Sequence, residues 1–117
     1  MSIRWTLIAA TLAGCGRPNE IPEDRFAEAT ASALCRRTRE CDRGDFDASY
    51  FSMSDCEATQ QRLIGQIVDQ SDKAGCDYDA QQAAYAWGRI LDVSCEDFYK
   101  GKYLTDQAKV FDCGGGA

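Results

Sequence analysis

Apolar side chains recur at intervals of three and four along most of this chain, the spacing that keeps them on one face of a helix. From Glu23 to Cys41 the stripe is Phe26, Ala27, Thr30, Ala33, Leu34, Thr38 and Cys41. Pro22 stands at its first turn, and Glu23 and Asp24 follow where a helix N-terminus favours negative charge. Residues 42–53 lose the pattern and read as a loop whose aromatics, Phe46, Tyr50 and Phe51, cover the core. The clearest helix spans 54–71. Ser54 and Glu57 form its capping box, Cys56, Gln60, Leu63, Ile64, Ile67, Val68 and Ser71 lie on one stripe, and Lys73 and Gly75 supply a stop.

A third helix opens at Asp79 with Gln82. It turns Ala80, Ala83, Ala84, Trp87, Ile90 and Leu91 inward and leaves room for a close neighbour at Gly88. Ser94 and Asp97 cap a short fourth helix that carries Phe98 and Tyr99 and ends by Gly101. A turn around Val110 and Phe111 then leads to Cys113, with a frayed tail over 114–117. The expected fold class is all-α, a small bundle of about three to four helices over 23–113.

The first residues follow a different rule. Arg4 is the only charge before Cys15, and the run from Trp5 to Leu12 holds only apolar side chains and threonines, with small residues after it. This is the order of a positive n-region, an apolar h-region and a small-residue cleavage site. The run is shorter than the about 20 residues a membrane span needs. Leu12, Ala13, Gly14 and Cys15 resemble the lipobox of bacterial lipoproteins. That resemblance implies cleavage after residue 14, a diacylglycerol on the Cys15 thiol and a further acyl chain on the new amino group. Two or more chains hold a protein on a bilayer stably, because each buried methylene adds about 0.8 kcal/mol. Residues 15–22 become the lipidated cysteine and a tether with two prolines. Because Gly16 and not an aspartate follows Cys15, the resemblance favours the outer membrane in a diderm host.

Composition agrees with an exported destination. Cleavage leaves about 100 of the 117 residues, enough for one small domain. The whole chain carries a formal charge of −6, which argues against nucleic acid and against electrostatic docking on anionic lipid. Of the 7 cysteines, assigning Cys15 to lipid leaves an even set: Cys35, Cys41, Cys56, Cys76, Cys95 and Cys113. In an exported domain of this size such a set reads as three disulfides. Structural zinc would ask for close CxxC or histidine-containing pairs, and the chain has no histidine.

Helix geometry prunes the pairings. Cys35 and Cys41 would lie about 9 Å apart along one helix and about 120° around it, whereas bridged Cα atoms lie within about 7 Å. In an up-and-down packing, Cys41 at the end of the first helix faces Cys56 at the start of the second. The third helix then brings Cys95 to Cys35, and Cys76 is left for Cys113. Each bridge typically adds about 2 to 4 kcal/mol against a total of about 5 to 15, so reduction should sharply lower the melting temperature.

Candidate chemistry is sparse. Asp45, Asp47 and Ser49 match the first alternating ligands of a calcium loop, but Tyr50 stands where glycine is needed and Cys56 where the bidentate glutamate belongs. These residues read as turn formers, with no metal site and no cofactor. Arg36, Arg37, Arg39 and Arg43 could meet phosphate head groups or an acidic partner. They read more simply as favourable charge at a helix C-terminus, partly paired with Glu40 and Asp42.

Several short cysteine motifs look like those of small cysteine-rich lipoproteins from predatory and social delta-proteobacteria. They are the Cys-x5-Cys of Cys35 and Cys41, SDC at 54–56, GCDYD at 75–79 and SCED at 94–97. Where many of that group carry a further cysteine in the third helix, this chain has Tyr85, Ala86 and Trp87. The group has no established activity, so the resemblance implies location and a cross-linked helical body. The functional expectation is a membrane-anchored, non-enzymatic module without catalytic residues that binds an envelope protein or organises the envelope. The alternative is a small envelope hydrolase using two of the 19 acidic residues, which would need defined separations and a raised pKa on the acid.

Overall fold

A computed structural model describes residues 17–114. Three long helices carry the fold: α1 (Glu23–Cys41), α3 (Met53–Lys73) and α4 (Ala80–Asp92). Three short ones join them: α2 (Arg43–Ser49), α5 (Cys95–Tyr99) and α6 (Lys102–Ala108). Two-residue strands β1 (Asp77–Tyr78) and β2 (Phe111–Asp112) pair antiparallel, Asp77 opposite Asp112 and Tyr78 opposite Phe111. The chain is thus a small disulfide-linked helical bundle, as its apolar periodicity requires.

Local chemistry sets most of the helix ends. Asp79 accepts from the Gln82 backbone N–H at 2.9 Å and Ser94 from that of Asp97 at 3.1 Å, the two caps the sequence announces. Gly75 takes a left-handed φ of 80° just beyond α3, a conformation that costs glycine little. The α3 start differs from expectation: Ser52, not Ser54, is the N-cap. Its hydroxyl accepts from Asp55 N–H at 3.1 Å, while the Asp55 carboxylate reaches back to Phe51 N–H at 3.0 Å. The return bond thus reaches the residue before the N-cap, where a capping box would take the N-cap's own amide.

The segment 42–53 is not simply a loop. Asp42 accepts from Asp45 N–H at 2.9 Å and opens α2, whose Phe46 is buried against Cys35 and Cys56. This extra helix changes the cross-links. The expected pairs Cys35–Cys95 and Cys41–Cys56 are replaced by Cys35–Cys56 and Cys41–Cys95, while Cys76 joins Cys113. With α2 filling the corner, Cys56 enters beside Cys35, about one and two-thirds turns back from the α1 end. The helix order is still up, down, up. Ile21 N–H donates to Ala80 O at the start of α4, and Arg37 Nε donates to Ile90 O near its end, so α4 runs parallel to α1. A register that sets residue 37 beside 90 carries Cys41 on to Cys95.

The main core gathers Ile21, Phe26, Ala31, Ile64, Ala83, Ala84, Ala86 and Val110, with Trp87 and Leu34 packed against it. Two residues of the expected α3 stripe do not join it: Leu63 is 45% exposed and Ile67 50%. The segment 17–22 is also not a free tether, because Ile21 is buried and the residues before it lie along α4. The expected leader over 1–14 and Cys15 lie outside the described residues. Among the described residues no helix is long and apolar enough to cross a membrane.

Candidate functional site

The site is built at the end of the bundle where α1 begins. Phe26, in the first turns of α1, is buried and meets the Tyr78 and Phe111 rings edge-on, both at 5.9 Å between centroids. Tyr78 and Phe111 are themselves 5.3 Å apart, because β1 and β2 set them opposite one another. The Cys76–Cys113 bridge fastens the same two strands just outside that pair. The aromatic trio depends on a tie between sequence positions far apart.

Beside it opens an apolar groove of about 460 Å³. Its walls are Phe26, Ile64 and Ile67 on one side and Leu104, Ala108 and Phe111 on the other. It exists because α6 packs on α4 while α3 packs on α1, leaving the space between unfilled. Ile67 and Leu104 are 50% and 53% exposed across it. Gln107 also lines the wall, and its buried side-chain oxygen Oε1 has no partner. The groove can therefore hold apolar side chains.

Two charged features lie elsewhere. Arg37 is only 13% exposed, and its guanidinium donates to Ile90 O at 3.0 Å and to Val93 O while pairing with Glu40 at 3.0 Å. It satisfies carbonyls that α4 leaves open at its C-terminus. Of the expected arginine cluster, Arg43 pairs with Asp47, not with Glu40 or Asp42. The second feature is a carboxyl pair. Glu23 Oε2 is buried without a partner, and the hydrogen bond available to Asp72, with burial and the Asp72 charge, raises the Glu23 pKa above its ordinary value. Two carboxylates can share that bond only when one is protonated.

The six paired cysteines lie in three separate places: Cys35–Cys56 under α2, Cys41–Cys95 at the α4 end, and Cys76–Cys113 beside the groove. Asp45 and Asp47 sit on helix α2, whose backbone does not wrap around an ion. The groove is not legible in the sequence because Ile67 shares the period of buried Ile64; periodicity identifies a face, not its cover. Residues 102–108 carry the only available signal, Leu104 and Gln107 beyond a helix-stopping glycine. No family profile, curated protein or solved structure matches the chain.

Proposed function

We propose that this chain is a lipid-anchored, exported binding module whose groove receives an apolar segment of another envelope protein. Its three disulfides belong to a protein that folds outside the reducing cytoplasm, and the Leu12–Cys15 motif supplies the anchor. The observation that carries the binding role is the facing of half-exposed Ile67 and Leu104 across a groove pinned by Cys76–Cys113. A bound segment would cover these side chains.

The alternative hydrolase has one concrete candidate, Glu23 with Asp72. Glu23 is perturbed chiefly through the hydrogen bond available to Asp72, so the two carboxyls are close neighbours, whereas glycoside hydrolysis needs them about 5 to 9.5 Å apart with substrate between them. Neither residue lines the groove. Binding is therefore the better-supported reading.

The test places a photo-crosslinking residue at Ile67 in intact cells and a second one at exposed Arg36 on α1. A discrete adduct from position 67, absent from position 36 and lost on Leu104→Asp, is the expected result. No adduct, or the same adduct from both positions, overturns the groove as a binding face.

A further inference from the structure

The segment just after the proposed anchor is strapped down. Arg17 forms a two-pronged pair with Asp92, Nη1 to Oδ2 and Nη2 to Oδ1, both 2.7 Å. Its guanidinium lies 5.9 Å from the centre of the Trp87 ring. Gly88 lies beneath the guanidinium: a Cβ there would stand 3.4 Å from Arg17 Nη1, at van der Waals contact. Four residues on, Ile21 is buried, its N–H donates to Ala80 O, and its carbonyl accepts from the Tyr78 hydroxyl. Residues 17–21 thus lie along α4 from its end to its start. An extended run of this length spans about 14 Å, close to the about 18 Å length of a 13-residue helix.

Only Gly16 separates Arg17 from Cys15. Two peptide steps keep the Cys15 Cα within about 8 Å of that of Arg17. We infer that the bundle is held on the bilayer in one orientation, with the Asp92 end of α4 and its Trp87 face toward the lipid surface. The inference rests on acylation of Cys15. It concerns the lipid surface alone and draws its direction from the strap, not from charge: exposed Arg36 and Arg39 share that end with Glu40 and Glu96. The groove, built at the start of α1 and the end of α3, then faces away from the membrane, where a partner can reach it.

Trp87 reports the geometry directly. The chain has 2 tryptophans, and cleavage before Cys15 removes Trp5. Protein purified from membranes is first weighed intact, then placed in phosphatidylcholine vesicles carrying a nitroxide on the head group. Strong loss of Trp87 emission relative to nitroxide-free vesicles is expected. Arg17→Ala should restore emission by releasing the strap. A ten-residue glycine-serine insertion between Gly16 and Arg17 should restore it without touching the fold. An unacylated Cys15 overturns the anchor and this inference together. An acylated protein whose Trp87 is not quenched, or is quenched equally with the long insertion, overturns the orientation alone.

Discussion

Thr30 and Thr38 sit on one helix and meet different fates. Thr38 donates its hydroxyl to Leu34 O at 2.8 Å, one turn back. Thr30 is 1% exposed and its hydroxyl has no partner. A buried hydroxyl left unmatched costs about 1 to 3 kcal/mol, and valine has nearly the same shape and helix propensity. Thr30→Val should raise stability by about 1 kcal/mol, read as a higher urea midpoint at constant slope. Glu23 gives a prediction with a pH sign. Its folded pKa is raised, so its protonated form is favoured in the fold. The stabilisation is present below the ordinary glutamate value and is lost as pH rises through the raised one. Asp42 and Asp92, lowered chiefly by the Asp45 N–H and by Arg17 respectively, act in the opposite sense on acidification. The informative quantity is therefore the difference from Glu23→Gln: the variant should melt above the natural protein at neutral pH, and the gap should close toward acid.

At the scale of elements, sequence and structure agree where a helix is defined by its own residues. Pro22 with Glu23 and Asp24 starts α1 without a side-chain cap, and Asp79 and Ser94 start α4 and α5 because a cap is a contact between residues three apart. Disagreement begins where one element must find another. Asp42 and Asp45 spell an N-cap, yet the six residues before Tyr50 include Gly44 and only one large apolar side chain, so α2 has too little periodicity to stand out. What stabilises it is Phe46 buried on the Cys35–Cys56 bridge, a partner from two other helices. Arg37 shows the same limit. Its neighbours in sequence suggest a solvated charge, while its use is to hold the open carbonyls at the α4 C-terminus. Hydrogen bonds from a charged donor contribute about 1.5 to 3 kcal/mol. Arg37→Ala should cost that much, and Arg37→Lys should recover only part of it, because one ammonium cannot span two carbonyls as a planar fork does. Chemical denaturation of both variants checks the order.

For the whole molecule, the three bridges are not equivalent. They span sequence separations of 21, 54 and 37 residues; closing loops of that size stabilises by about 3 to 4 kcal/mol each in the chain-entropy picture. Together these rival the about 5 to 15 kcal/mol of a typical domain, so full reduction should unfold the protein, and an unchanged melt in dithiothreitol would contradict that. Position then separates the bridges. Cys35–Cys56 and Cys41–Cys95 tie α1 to α3 and to the start of α5, inside the helical body. Cys76–Cys113 ties β1 to β2, and through them α6 and the groove wall, to a bundle whose core is otherwise anchored by Phe26, Ala31, Ile64 and Ala83. Replacing both Cys76 and Cys113 by serine should therefore loosen one end rather than melt the whole. Amide exchange should quicken at Asp79, whose N–H donates to Val110 O at 2.9 Å, and at Tyr78 and Phe111, while the middle of α1 and α3 keeps its protection. The same variant should lose the crosslink from position 67, because the wall carrying Leu104 and Phe111 no longer holds its place. Uniform loss of protection would mean that the groove is part of one cooperative unit with the core, and that its shape is set by the bundle rather than by this bridge.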